Sequence, residues 1–333
     1  MTAADPITTM FMLIAVGIIM LGLGLSLRVA DFARVLTYPR AVLVGLICQI
    51  LLLPLVAIGI AHSFDLEPNL AIGLMLLAAS PGGITANLYS HLANGDLALN
   101  ITLTAINSVL AIVTLPLIVN LSMLHFMDSD SAVPLQFGKV FQVFLIVLGP
   151  VVVGMWLYAR YTVLAERLRK PVKLLSVLFL ATVIGLAMFK ARGEIGSYLR
   201  QVGSACLIFS VLSLVIGYSL PRFLRLGRRQ SIAIGMEVGI HNTTLSIAIA
   251  MSPMMLGNPT MAIPAAVYGV MMHFPAASFA WLISRRQKSY AGEFVTGEVS
   301  DAMVGAGARK AGRVILNERC TSVVESRSGQ GPL

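Results

Sequence analysis

Charge is scarce in this chain. Only 12% of its 333 residues are Asp, Glu, Lys or Arg, against 57% hydrophobic, and the mean hydropathy is +0.86. So few charges cannot cover a soluble domain of this length, and lipid is the expected solvent. Acidic residues are scarcer still, 15 against 24 Lys and Arg, for a net charge of +9. That balance does not point to nucleic acid, because the basic residues fall in short clusters between long apolar runs, the pattern that sets membrane topology. Cysteine is nearly absent as well. Cys48 and Cys206 sit in apolar runs and Cys320 in a polar stretch, a spacing that argues against a disulfide framework or a zinc site. No basic region precedes the first apolar run, which follows Asp5 and extends over 8–27, so an uncleaved helix is expected rather than a signal peptide. No nucleophile is paired with a base, and His91 and His273 each lack a partner at metal-ligand spacing; an enzyme is therefore not expected.

Spanning segments, by contrast, are abundant. Apolar runs of sufficient length fall at 8–27, 41–61, 70–92, 98–125, 137–158, 174–190, 201–220, 231–252 and 262–284. The predicted fold is an all-α polytopic membrane protein with nine transmembrane helices over 1–284. Connections after the first, fifth, seventh and ninth runs hold Arg28, Arg34 and Arg40; Arg160, Arg167, Arg169, Lys170 and Lys173; Arg222, Arg225, Arg228 and Arg229; and Arg285, Arg286 and Lys288. The positive-inside rule makes these cytoplasmic, with the N-terminus outside and the C-terminus inside a bacterial-type inner membrane. Asp65, Glu67, Asp128 and Asp130 on the opposite side agree, whereas Lys190, Arg192 and Arg200 run against the rule. Trp156, Tyr158, Tyr161 and Trp281 lie near cytoplasmic helix ends, as interfacial aromatics do. From 285 to 333 the composition turns to Gly, Ser, Thr and charged residues, read as a mobile cytoplasmic tail.

Two spans share an anomaly. The third, about 70–92, contains Ser80-Pro81-Gly82-Gly83, where a proline removes a backbone donor and paired glycines weaken the helix in mid-bilayer. The eighth, about 231–252, contains Glu237-Val238-Gly239-Ile240-His241-Asn242-Thr243, a carboxylate, an imidazole and an amide at membrane depth. Both helices are expected to break there, with the freed backbone groups buried in protein or lining a wet cavity. An intramembrane acid is a functional candidate by default, and interrupted helices in matching positions of two halves mark a binding site between inverted repeats.

These residues also carry a resemblance. Pro81-Gly82-Gly83 with Asn87, Gly95-Asp96 before Ala98-Leu99, and Glu237-Val238-Gly239 followed by Asn242 resemble the bile acid:sodium symporter family, as do Met20, Gly22 and Gly24 ahead of Asp31-Phe32 and Pro39. The resemblance implies panel and core domains, inverted repeats, two discontinuous helices crossing near the sodium sites, and the nine-helix variant of the fold. It places one sodium site on Ala86, Asn87, Asn100, Thr104 and Glu237, although Ala86 has no side-chain oxygen and Asn100 stands where serine is usual. It places the other on Gln49, Glu237, Val238, Ile240 and His241. His241 replaces a glutamine, and a ring nitrogen is a poor ligand for a hard cation, so the second site is in question.

The function this implies is secondary active symport of a small organic anion, coupled to Na+ by alternating access. Two other readings stay open, a proton-coupled organic-anion transporter that uses the titratable His241, and a membrane sensor of the same fold that does not transport. Thr85, Asn242 and Thr243 are expected to meet the substrate, where half-helix N-termini favour a carboxylate. The expected partners are the anion and the lipid bilayer, with oligomeric state left open.

Overall fold

The computed structural model describes residues 36–127, 137–190, 195–252 and 255–283, with scattered positions between 14 and 31. The stretch 285–333, expected to be a tail, lies outside the described residues. Regular structure among the described residues is helical throughout, apart from one isolated backbone bridge. In chain order the helices are α1 Pro39–Leu46, a π-helical stretch Ile47–Leu52, α2 Leu53–Ser63, α3 Pro68–Ala79, α4 Ile84–Leu92 and α5 Leu97–Phe126. They continue as α6 Phe137–Arg160, α7 Thr162–Lys190, α8 Ile195–Phe223, α9 Arg228–Gly239, α10 Thr243–Met251 and α11 Pro259–Met271. A further helical stretch occupies 273–283.

Local chemistry explains most of the boundaries. Proline opens α1, α3 and α11, where its fixed φ suits the first turn and its missing N–H costs nothing. The Asp96 carboxylate caps α5 by accepting from Leu99 N at 3.1 Å, and Asn258 caps α11 by accepting from Thr260 N at 3.0 Å. Among the described residues, four helical stretches are long and apolar enough to cross a membrane: Pro39–Ser63, Leu97–Phe126, Arg200–Phe223 and Pro259–Ile283. The expected third and eighth spans are each two short helices, α3 with α4 and α9 with α10, interrupted at 80–83 and 240–242.

One boundary departs from expectation. The basic stretch before 174 is not a loop, since α7 already begins at Thr162, directly after Tyr161. Arg, Lys, Leu and Glu are good helix formers, so the charges that mark the membrane edge also let the helix extend past it.

The arrangement of side chains is that of a chain dissolved in lipid. On α5, Val109, Val113, Leu117, Leu121 and Leu124 form an exposed row at helical spacing, while Asn100, Thr104 and Asn107 are buried on the other side. Helix α9 packs against α8, α4 and α5, and α3 packs against α5 and α11. A Cβ added at Gly217 of α8 would come within 3.0 Å of the Gly235 Cα on α9, so small residues set that close approach. Elsewhere, Leu25 of the first span packs with Ala165 and Val172 of α7, and the Arg28 guanidinium lies 5.1 Å from the Tyr158 ring centre.

Candidate functional site: two broken helices cross at a buried acid

The interruptions meet. Gly82 and His241 form an antiparallel bridge, in which Gly83 N donates to Ile240 O at 2.9 Å and Asn242 N donates to Pro81 O at 2.8 Å. Each break thus satisfies backbone groups freed by the other, which meets the requirement that unwound backbone at membrane depth be paired within protein. Side chains from neighbouring helices finish the job. Gln49, turned inward on the π-helical stretch, donates through Nε2 to Ala78 O at 3.2 Å and Ser80 O at 2.8 Å, capping the end of α3. The Tyr268 hydroxyl of α11 donates to Gly239 O at 2.9 Å, capping the end of α9.

Glu237 lies in the last turn of α9, with no part of it exposed. Its carboxylate accepts from Gly82 N at 3.2 Å, from the Thr104 hydroxyl at 2.5 Å and from Asn107 Nδ2 at 3.3 Å. Gly82 has to be glycine for this contact, because a Cβ there would overlap the carboxyl group. All three donors are neutral, so they orient the acid without supplying a counter-charge.

Amide oxygens are left over in the buried core as well. Asn100 Nδ2 donates to Ala233 O at 2.8 Å, one turn before Glu237. The oxygens of Gln49, Asn87, Asn100 and Asn107 are buried with no hydrogen-bond partner. Buried amide oxygens normally find a donor; that of Asn107, whose Nδ2 meets the carboxylate, is of the hard, neutral oxygen type that suits a hard cation.

His241 occupies a different environment. Its ring stacks on Phe209, with centroids 5.4 Å apart and planes 14° from parallel, and lies 5.4 Å from the Tyr268 ring. Its Nδ1 is 3.3 Å from Ser80 O. A carbonyl can only accept, so Nδ1 carries the hydrogen, while the buried Nε2 has no partner. His241 and Gln49 therefore share one carbonyl, both as donors.

Of the residues singled out from sequence, Glu237 and Thr104 touch, Gln49 and His241 share the Ser80 carbonyl, and Asn100 joins α5 to α9. The Ile240 carbonyl accepts from Gly83 N, and the Val238 side chain packs on Gly217. Ala86 is fully buried and brings no donor. Asn242 caps α10, its Oδ1 accepting from Leu245 N at 3.1 Å; Thr243 faces Gly269 of α11; and Thr85 is half-buried in the first turn of α4. Asn107 and Tyr268 were not anticipated. Asn107 was legible in principle, since Asn100, Thr104 and Asn107 follow the i, i+4, i+7 spacing of one helical face. Tyr268 sits in an ordinary apolar run and had no local signal. His273, read as a polar residue without a ligand partner, stacks on Tyr89 with Nδ1 3.4 Å from its hydroxyl.

Comparison with known proteins bears on this geometry. The chain is similar to the uncharacterized sodium-dependent transporter YocS of Bacillus subtilis, 30% identical over 286 residues that cover 84% of each chain. It is 27% identical to a probable chloroplastic sodium/metabolite cotransporter of Arabidopsis thaliana, over 79% of this chain and 64% of the relative. With the human ileal sodium/bile acid cotransporter it shares 24% identity over 71% of this chain and 67% of the relative. The profile of the sodium bile acid symporter family matches residues 13–197, which include the first break and its α5 neighbours. With its crossed helices, its buried acid and these relatives, the chain is a multi-pass membrane protein that belongs to the sodium bile acid symporter family.

Proposed function

We propose that this protein is a secondary active symporter that couples the movement of Na+ to that of a small organic anion by alternating access. The observation that carries this reading is a buried carboxylate held only by neutral donors, one of them Asn107 with its own oxygen unpartnered, in a core where the amide oxygens of Gln49, Asn87 and Asn100 are also buried without partners. A sodium ion completes this arrangement: it supplies the missing positive charge for Glu237 and takes oxygens from Asn87, Asn100, Thr104 and Asn107. Gln49 adds an oxygen from the side of the first break. His241 takes the place of a second ion, since its Nδ1–H already donates to the Ser80 carbonyl that lies between the two halves. One sodium ion per cycle follows.

The anion binds next to this ion, at the N-termini of α4 and α10, where Thr85, Asn242 and Thr243 begin helices whose first amides favour negative charge. Ion binding orders the crossing and so prepares the anion site, which is the coupling. The architecture is nine spans in inverted repeats, with a core holding the crossing and a panel formed by the first span, α6 and α7. The N-terminus is external, the C-terminal tail cytoplasmic and the membrane an inner one. The relatives are named as transporters or cotransporters, which supports transport over catalysis.

Purified protein in proteoliposomes, offered a panel of labelled carboxylates under separate sodium and proton gradients, tests the reading. Accumulation above equilibrium with an inward sodium gradient, abolished in Glu237→Gln, is the expected result. Accumulation driven by the proton gradient alone would move coupling to His241, and saturable binding without flux would make the protein a sensor.

A further inference from the structure

A second pair of titratable side chains stands apart from the crossing in its chemistry. His62 lies in the last turn of α2 and His125 in the last turn of α5, both exposed. Their Nε2 atoms face each other at 2.8 Å, with the ring centroids 5.0 Å apart and the planes 89° from parallel. Phe126 flanks both rings, at 5.2 Å from His62 and 4.7 Å from His125. We propose that His62 and His125 form a two-imidazole site for a divalent transition metal ion, with Zn2+ as its probe.

Three features of the pair support a metal. The two Nε2 atoms are within hydrogen-bond distance of each other, and a neutral imidazole with its hydrogen on Nδ1 binds a metal through the Nε2 lone pair. A tetrahedral ion at 2.0–2.1 Å from each nitrogen holds them about 3.3 Å apart, so the rings need to part by only about half an ångström, easily done by exposed side chains. Both histidines sit at helix C-termini, where the last carbonyls carry partial negative charge that favours a cation. The connection 62–69 adds Asp65 and Glu67 and holds no Lys or Arg.

Among the described residues no third His, Cys, Asp or Glu joins the pair, so water fills the remaining positions and the site is an open one. Imidazole selects zinc, copper or nickel over sodium, magnesium or calcium, which separates this site from the proposed sodium site at Glu237. The consequence is mechanical. Helices α2 and α5 both pack on α3, and a bound ion ties their ends together across it.

Isothermal titration of the detergent-purified full chain with ZnCl2, after purification through a tag other than polyhistidine, tests this. One zinc per chain is expected for the wild type and for His91→Gln, with affinity weaker by about tenfold or more in His62→Gln and in His125→Gln. The metal-free melting temperatures of the variants should equal that of the wild type, because both side chains are exposed. Failure of the wild type to take up zinc, or wild-type affinity in either pair variant, would overturn the proposal.

Discussion

Asn107 illustrates what a single side chain contributes here. Its Nδ2 donates to Glu237 while its oxygen has no partner, so it orients the acid and offers a ligand atom at once. Asn107→Leu keeps the volume and removes both functions. Sodium-dependent stabilisation should then need about tenfold more sodium, equivalent to about 1.4 kcal/mol. A thermal-shift titration with NaCl against KCl measures this, and an unchanged sodium midpoint would remove Asn107 from the proposed ion site. The same logic separates Asn107 from Asn100, whose Nδ2 is bonded to the Ala233 carbonyl and which fastens α5 to α9. The i, i+4, i+7 spacing of Asn100, Thr104 and Asn107 puts these three side chains on one face of α5. It did not say which of them reaches the acid, because that depends on how far along α5 the end of α9 docks.

At the scale of elements, the protein depends on two helices that stop and restart. Each break is legible from its own residues, Pro81-Gly82-Gly83 in one case and the polar run from Glu237 to Thr243 in the other. Their pairing through Gly82 and His241 is not, because the partners are more than 150 residues apart and no local propensity connects them. The contact is tight enough to make a clear prediction. Gly82→Ala introduces a methyl group into the space of the Glu237 carboxyl, and overpacking of this kind costs about 1–3 kcal/mol. The variant should melt at lower temperature and lose its response to sodium, whereas the same substitution at Gly59, where an added Cβ meets nothing within 4 Å, should do neither. Comparing the two melting curves with and without sodium provides the measurement. The π-helical stretch is another feature of this scale. Its wider turn directs Gln49 inward toward the end of α3, and nothing in Ile47–Leu52 announces that turn beforehand.

For the whole molecule the issue is how many ions accompany each cycle. If one ion binds at Glu237 and the His241 N–H stands in for another, initial uptake should rise with sodium along a simple hyperbola and not sigmoidally. Uptake should also be indifferent to a pH gradient imposed at fixed sodium. Initial rates in proteoliposomes over a range of sodium concentrations decide this; a sigmoidal curve would mean that a second sodium ion binds despite the imidazole. The arrangement is consistent with the composition of the chain. A protein with 12% charged residues has few to place at membrane depth, and Glu237 is buried among neutral donors.

The amino-acid sequence alone determined the membrane character, the two breaks and the acid beside one of them. Those features are local: a run of apolar residues, a proline or a carboxylate carries its meaning wherever the segment ends up. Only the tertiary structure decided that the breaks pair with each other, that Gln49 and Tyr268 cap the broken ends, that Asn107 joins Glu237, and that His62 meets His125. Each of these is a contact between distant segments, and its energy exists only once the intervening helices have packed and brought the partners within hydrogen-bond range.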